Sequence, residues 1–167
     1  DLSTRGIEAF KNSDFILCED TRVTKKLSNI RNFKVSNLIS FNNFNENTKI
    51  SYILKKIMSG KNVVLSSDSG MPLISDPGFK LVQECIKNKI KIDVVPGPSS
   101  VISSLVISGL TSNNFYFAGF PPKKKNTRIK SLKDLVNLSA TIIWFESPKR
   151  VLSFLKELLL VFGNRNA

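Results

Sequence analysis

Short apolar runs and amphipathic stretches alternate along this chain. Six runs rich in β-branched and aromatic residues predict buried strands, at 14–18, 37–41, 62–65, 91–95, 115–120 and 141–145. The stretches between them repeat apolar residues every three or four positions and predict helices, at 2–12, 25–30, 50–57, 79–86, 101–106, 131–138 and 151–162. This alternation predicts an α/β fold whose first part holds a mostly parallel sheet.

A small, polar segment at 109–114 interrupts the pattern after a long apolar helix. Segments of this kind are typical of boundaries between domains. The sequence therefore predicts an N-terminal α/β domain over 1–110 and a partial C-terminal α/β domain over 111–167.

Three polar loops each follow a predicted strand, at 19–22, 66–78 and 96–100. The carboxyl ends of parallel strands meet at one edge of a sheet, where ligands bind, so we expect the three loops to converge on a polar site. Each loop also has a purely structural interpretation. The first could be a helix cap with a local Asp–Arg ion pair and with Thr24 opening the helix, the second a decorated turn, and the third a capped helix start.

The charge balance is strongly basic. Lys and Arg number 25 against 13 acidic residues, which gives a net charge of +12. Such a charge favours a polyanionic partner, nucleic acid first and an anionic membrane surface second, over a merely lysine-rich surface. The stretch 121–133 supports this interpretation, because it carries six cations and no acid.

Several function classes are excluded by composition. The chain has no histidine, which removes Ser-His-Asp hydrolysis and most zinc sites, and no metal is indicated. It has neither a Gly-x-Gly-x-x-Gly turn nor a Walker A loop. No apolar run reaches the ~20 residues that a membrane span needs. Cys18 and Cys85 lie in apolar segments, which predicts reduced core thiols and a cytoplasmic protein.

Five motifs carry a resemblance to a known family. The stretch Ser-Asp-Ser-Gly-Met-Pro-Leu-Ile-Ser-Asp-Pro-Gly at 67–78 resembles the signature of the small-subunit ribosomal RNA methyltransferases I. These belong to the tetrapyrrole-methylase superfamily, the class III S-adenosylmethionine methyltransferases. Four further motifs resemble that family in its order, and together they span essentially the whole chain: 19–22, 96–99, 119–123 and 145–148.

The resemblance implies a tetrapyrrole-methylase-like fold and a reaction. Members transfer a methyl group from S-adenosylmethionine to the 2′-hydroxyl of a cytidine ribose in the decoding region of 16S ribosomal RNA. They are homodimers that bind the cofactor between two domains. By motif position, the implied cofactor-binding residues are Asp68, Gly70, Met71, Ser99, Ser100, Trp144, Phe145 and Glu146.

The implied chemistry asks little of acid–base groups, because a sulfonium methyl is already a strong electrophile and in-line positioning supplies much of the rate. The 2′-hydroxyl is a poor nucleophile that gains from a proton acceptor, for which Glu19, Asp20 and Glu146 are open alternatives. Phe120 is either a base-stacking residue or a core residue. The residues expected to hold RNA phosphates are Arg22, Lys123, Lys124, Lys125, Arg128 and Lys130.

The sequence departs from the family pattern in several places. Ser69 stands where the family has alanine, Lys149 replaces a histidine, and an Asn/Phe run at 41–45 replaces a histidine-containing loop. The family also has a Gly-Thr-Pro-Ile-Gly-Asn-like strand before the position of Asp1 and further strands after Asn164. We therefore expect activity to belong to a longer chain. Two alternatives remain open: a superfamily methyltransferase with a small-molecule substrate, and an inactive RNA-binding fragment.

Overall fold

The computed structural model describes residues 1–167, in which helices and strands alternate except at 79–108, where two helices follow one another. The strands are β1 Phe15–Cys18, β2 Leu38–Ser40, β3 Val63–Ser66, β4 Phe115–Gly119 and β5 Thr141–Trp144. The helices are α1 Thr4–Lys11, α2 Thr21–Ile30, α3 Glu46–Met58, α4 Phe79–Lys87, α5 Ser100–Ser108, α6 Lys125–Lys133 and α7 Val151–Phe162. The chain divides into two compact units, Asp1–Ser99 and Ser100–Ala167.

The first unit is built on a three-stranded sheet in the order β2-β1-β3, with both neighbouring pairs parallel. The last residue of β1, Cys18, lies opposite Ser40 of β2 and Ser66 of β3. The three strands therefore end at the same level, and the loops that follow them leave from one edge of the sheet. The α/β architecture and the parallel sheet predicted from the sequence are confirmed.

Apolar side chains cover both faces of this sheet. Ile16 and Leu17 are fully buried neighbours on β1, and they point to opposite faces because side chains alternate along a strand. Leu17 joins a cluster that also contains Phe41, Ile53, Leu81 and Cys85, whereas Ile16 packs with Phe10 and Phe33. Burial on both faces explains why β1 is an uninterrupted apolar run.

The two cysteines belong to this interior. Cys18 and Cys85 are both free and buried, as predicted. Burial raises the pKa of each thiol, because the thiolate loses its hydration there.

The second unit contains a two-stranded parallel sheet of β4 and β5. The register shifts between Phe117 and Gly119, and Gly119 takes a φ of 67°, which a glycine adopts at no steric cost. Leu132 of α6 and Phe154 of α7 are the buried residues of the two helices that follow these strands. None of the chain's helices is both long and apolar enough to span a membrane.

Two predicted elements differ in the structure. Residues 91–95 form no strand, because the extended run has no neighbouring strand to pair with and Ile92 and Val94 stay exposed. The helix predicted over 131–138 instead starts at Lys125 and ends at Lys133. The basic run is therefore helical from Lys125 onward. Lys and Arg are good helix formers, so the run can form a helix without apolar residues at helical spacing.

The boundary between the two units also lies earlier than the predicted division after residue 110. The contacts of α5 group it with the second unit, so the division falls between Ser99 and Ser100. The segment ahead of α5 is irregular, so no strand ties this helix to the first sheet. The domain limits 1–110 and 111–167 remain a prediction for the whole protein.

Candidate functional site

The loops after β1 and β3 are joined by a reciprocal pair of hydrogen bonds. The Asp20 backbone N–H donates to Asp68 Oδ1 over 3.2 Å, and the Asp68 backbone N–H donates to Glu19 Oε1 over 3.2 Å. Each loop thus supplies a carboxylate to the other's backbone. This arrangement fixes Glu19 and Asp68 beside one another at the carboxyl edge of the sheet.

The third loop meets the second at Met71. The Gly97 backbone N–H donates to Met71 Sδ over 3.1 Å, and a Cβ on Gly97 would lie only 3.3 Å from the same sulfur. The stretch 66–78, here called the signature loop, turns at Gly70, which has a φ of 79°. A Cβ added to Gly70 would lie 3.8 Å from the carbonyl oxygen of Pro98. The predicted convergence of the three loops is confirmed within the first unit.

The far end of the signature loop is held by a buried carboxylate. Glu46, the first residue of α3, is 8% exposed and accepts a hydrogen bond from the Gly78 backbone N–H over 3.1 Å. Gly78 itself has a φ of 124° and precedes α4. Leu73 and Ser75 also have positive φ, at 71° and 67°, conformations that cost side-chain-bearing residues energy and cluster at functional sites.

Sequence reasoning did not single out Glu46. An acidic residue in the first turn of a helix is common, because it complements the helix dipole, so nothing in the sequence marks it as a support for a loop more than thirty residues away. Asp76 lies in the 67–78 stretch but is not among the predicted site residues. In the structure its carboxylate is partly buried and lies in the field of Asp68.

The carboxylates of the site have different proton affinities. Burial raises the pKa of Glu19, and the charges of Asp76 and Asp68 raise it further, against one backbone hydrogen bond that lowers it. Burial likewise raises the pKa of Asp76. Asp20 behaves oppositely, because its bonds from the Arg22 side chain and backbone lower its pKa to about 2.

Asp20 is therefore a structural residue of α2. Its Oδ1 accepts from the Arg22 backbone N–H over 2.8 Å, which makes Asp20, rather than the predicted Thr24, the cap of the helix. The Arg22 guanidinium lies over the same carboxylate, with Nη2 2.6 Å from Oδ2. The Arg22 side chain remains 87% exposed, so the ion pair does not remove it from contact with an anionic ligand.

An open cavity of about 210 Å³ lies beside this cluster. Its walls come from one face of α2 and from the start of the signature loop, and they are lined by Val23, Thr24, Lys26, Leu27, Ile30, Ser66, Ser67 and Asp68. This volume is below the roughly 300–1,000 Å³ of a complete small-molecule site. The cavity can therefore take a planar or apolar part of a larger ligand whose polar groups reach Asp68.

The predicted residues of the second unit have clear partners there. Trp144 packs edge-on against Phe154 and Phe162, with ring centroids 5.8 and 5.9 Å away. Phe145 packs against Phe117 on the strand and against Phe120, which is 57% exposed. Phe120 thus combines a packing contact with a free face.

Glu146 is almost enclosed, with 6% of its side chain exposed. Its Oε1 accepts from the Ser147 backbone N–H over 2.6 Å and pairs with Arg150 Nη2 at 2.7 Å. Both interactions orient the loop between β5 and α7, so this carboxylate has a structural task in the second unit. Ser100 is the first residue of α5, and Ser99 directly precedes it.

The predicted RNA-binding cations divide into two groups. Lys123, Lys124, Lys125 and Lys130 are exposed. Arg128 is not, because its guanidinium forms a two-bond fork with Glu157, at 2.6 and 2.8 Å, and its Nη1 donates to the carbonyls of Pro122 and Lys123. Arg128 therefore holds the loop that presents Lys123 and Lys124, which leads into α6.

Replacing Glu19 with glutamine tests the carboxylate cluster through pH. The pKa of Glu19 in the folded chain lies above its ordinary value of 4.5, so folding binds this proton more tightly. The associated stability is fully present below pH 4.5 and is lost as the pH rises through the raised pKa. We expect wild type to lose more free energy of unfolding than Glu19→Gln between about pH 4 and about pH 7 in urea titrations.

The glutamine keeps the acceptor for the Asp68 N–H, so the variant changes charge and little else. Glu8→Gln, at an exposed position of α1, is the matched control and should follow the wild-type profile. Parallel profiles for Glu19→Gln and wild type would contradict the assigned environment of Glu19.

The comparisons with known proteins extend over nearly the whole chain. Residues 1–166 match the family model described as Tetrapyrrole (Corrin/Porphyrin) Methylases. Three similar proteins bear the name ribosomal RNA small subunit methyltransferase I. They come from Thermotoga maritima, Rickettsia prowazekii and Halalkalibacterium halodurans, and are 43%, 42% and 38% identical over 99% of this chain.

The chain spans 73% of the length of the Thermotoga protein and 59% and 57% of the other two. Among solved structures, the cobalamin biosynthetic enzyme cobalt precorrin-4 methyltransferase superposes with a TM-score of 0.66. It covers 95% of this chain and 68% of its own, and at 18% identity this likeness concerns the fold alone. On the family match and the identity to its relatives, the chain belongs to the tetrapyrrole methylase family and is a relative of the ribosomal RNA small subunit methyltransferase I proteins.

Proposed function

We propose that the protein takes part in S-adenosylmethionine-dependent 2′-O-methylation of a cytidine ribose in the decoding region of 16S ribosomal RNA. The observation that carries the proposal is the identity of about two fifths to relatives named for small-subunit ribosomal RNA methylation, over 99% of the chain. The converging loops of the first unit supply the site. A cytoplasmic homodimer acting on ribosomal RNA is part of the same proposal.

The first unit has a donor set that fits this cofactor. S-adenosylmethionine carries a sulfonium and an ammonium group, and the loops supply carboxylates at Glu19, Asp68 and Asp76. Asp68 accepts one hydrogen bond from Asp20, and a carboxylate has capacity for about four. Gly70 and Gly97 carry no side chains beside Met71, so a ligand can come close to the backbone there.

Within this proposal the residues have separate tasks. Asp68 accepts hydrogen bonds from the cofactor's ribose or ammonium group, while Gly70, Met71 and Ser99 line its approach. The resemblance assigns Ser100, Trp144, Phe145 and Glu146 to the same cofactor. When bound, the cofactor supplies an electrophilic methyl group, and the protein's contribution is to orient the ribose hydroxyl toward it.

Of the three candidate proton acceptors, Glu19 suits the task best. Asp20 is committed to Arg22 and has a pKa of about 2, and Glu146 is committed to Ser147 and Arg150. Glu19 accepts a single backbone N–H and has a raised pKa, which makes its carboxylate the stronger base. We assign it the proton that the 2′-hydroxyl loses. Exposed lysines at 123–125 and Lys130 hold the RNA phosphates.

Replacing Asp68 with alanine should weaken cofactor binding by about 10- to 150-fold, because a hydrogen bond to a charged group contributes about 1.5–3 kcal/mol. The measurement is calorimetric titration of S-adenosylmethionine into this chain and into a longer chain, extended at its N-terminus with the Gly-Thr-Pro-Ile-Gly-Asn-like strand of the family. Asp93→Ala is the matched control, since Asp93 is exposed and bonds only its neighbour's backbone N–H.

The outcomes separate the alternatives. Binding that Asp68→Ala loses and Asp93→Ala keeps supports the site, and a methylation assay on small ribosomal subunits, read as 2′-O-methylcytidine after digestion, then tests the reaction. Binding by the longer chain only would keep the family chemistry and mark this stretch as insufficient. Absence of binding by both chains would overturn the methyltransferase proposal and leave an RNA-binding protein.

A further inference from the structure

Phe44 is the most solvent-exposed large apolar residue of the chain, with 98% of its surface accessible. It lies between β2 and α3, in a loop whose other members are mostly asparagines. Exposing a phenylalanine ring forgoes the roughly 1.5–3 kcal/mol that burying it provides. The fully buried Phe41, three residues earlier, shows that this loop can place an aromatic ring in the core.

The backbone that carries Phe44 is pinned. Asn42 Oδ1 accepts from the backbone N–H groups of Phe44 and Asn45, at 3.1 and 3.2 Å. Asn45 returns the interaction, since its Oδ1 accepts from the Asn42 N–H over 2.9 Å and its Nδ2 donates to the Ser40 carbonyl over 3.3 Å. The ring is thus presented from a fixed turn, and ordering it on a ligand costs little more than two side-chain torsions.

The loop lies on the same edge of the sheet as the candidate site. Ser40 is opposite Cys18, the residue before Glu19, and the Ser40 hydroxyl donates to the Glu19 carbonyl over 3.5 Å. Phe44 follows Ser40 by four residues. Phe44 and Glu19 therefore belong to neighbouring loops at one edge of the sheet, and we expect an extended ligand at Glu19 to reach Phe44.

We infer that Phe44 is a stacking platform for an unpaired nucleobase of the RNA substrate. Proteins that recognise single-stranded RNA commonly stack bases on aromatic side chains, beside polar groups that bond the base edges. Asn43, which precedes Phe44 and is exposed, is a polar group of that kind. A single ring set among amides does not make an apolar protein interface, which needs about 800 Å² per partner.

This inference rests on the proposed RNA substrate, and its test separates the two. A Phe44→Trp variant adds a second tryptophan to a chain whose only other one is Trp144. Titration with a single-stranded RNA oligonucleotide of about ten nucleotides should quench the added fluorescence, because a stacked base quenches the indole. The same sequence annealed to its complement should quench it far less.

Affinity gives the second readout. In fluorescence anisotropy, Phe44→Ala should weaken binding of the same oligonucleotide by about 5- to 150-fold, and Phe44→Tyr should restore it. Because the ring is exposed, Phe44→Ala should leave the unfolding temperature unchanged. Met58→Trp and Met58→Ala are the matched controls, since Met58 is 67% exposed at the opposite end of α3 and should show neither effect.

The results have distinct meanings. Quenching at Phe44→Trp with loss of affinity in Phe44→Ala supports the platform. Salt-dependent RNA binding by wild type that Phe44→Ala retains in full would overturn the platform and leave the proposed function standing. Absence of RNA binding by this chain and by the N-terminally extended chain would overturn the RNA substrate itself.

Discussion

Replacing Gly78 with alanine should lower the free energy of unfolding by about 2–4 kcal/mol, as the sum of backbone strain and overpacking. Gly78 has a φ of 124°, which side-chain-bearing residues rarely adopt. An added Cβ would also lie 2.5 Å from Leu65 Cδ2 and 3.0 Å from Leu73 Cδ1. Leu65 packs against the core cluster of the first unit, and Leu73 is already held at a positive φ, so neither moves freely.

Gly60→Ala is the matched control for this prediction. Gly60 also has a positive φ, of 85°, but no atom lies within 4 Å of an added Cβ. Gly60→Ala should lower the free energy of unfolding only by the contribution of backbone strain, about 1 kcal/mol. The measurement is urea unfolding of both variants, and equal losses would show that the loop yields around the new methyl group. In that case Leu65→Val would not rescue Gly78→Ala, whereas the clash predicts a partial rescue.

Gly78→Ala should also weaken the binding of S-adenosylmethionine that we propose. The Gly78 backbone N–H is the group that Glu46 holds, and a displaced Gly78 releases the end of the loop that begins at Asp68. Titration of S-adenosylmethionine into Gly78→Ala should therefore give a higher Kd than Gly60→Ala at a temperature where both remain folded. Equal affinities would show that the two ends of the signature loop act independently.

Breaking the Arg128–Glu157 pair should cost the second unit about 2–3 kcal/mol, somewhat below the ~3–5 kcal/mol of a wholly buried pair. The two side chains are 12% and 11% exposed and meet through two parallel bonds, a geometry that only arginine provides. Glu157→Ala also strands a guanidinium that bonds two carbonyls. Arg128→Lys should also lower the stability, because an ammonium group cannot form the two parallel bonds to Glu157.

The pH dependence of this pair has a definite sign. The hydrogen bonds from Arg128 lower the pKa of Glu157 below its ordinary 4.5, so its contribution is present above that pH and is lost as the pH falls through the lowered value. Glu84→Gln is the control, because the Lys87–Glu84 pair is far more exposed and should change stability by less than about 1 kcal/mol. A comparable loss in both variants would contradict the structural role given to Arg128.

Much of this architecture follows from local sequence. Strands β1, β2 and β5 and helices α3 and α7 lie within a few residues of their predicted positions, because buried elements need apolar runs or apolar periodicity. The meeting of the polar loops also follows from local pattern, since parallel strands joined by helices must end at one edge. Ile16 and Leu17 lie on opposite faces of the sheet because side chains alternate along a strand, which is also a local property of the sequence.

Tertiary structure decided the rest, because partners distant in sequence determined it. The extended apolar run at 91–95 forms no strand, because it has no neighbouring strand to pair with. Arg128 pairs with the Glu157 carboxylate, so a basic residue of the 121–133 stretch is not by itself a free RNA contact. Glu46 and Gly78 are 32 residues apart and nothing local announces their bond. Phe41 and Phe44 are the same residue type in one loop, and only the fold buries one and exposes the other. Identity and spacing are local properties, whereas burial and pairing belong to the whole chain.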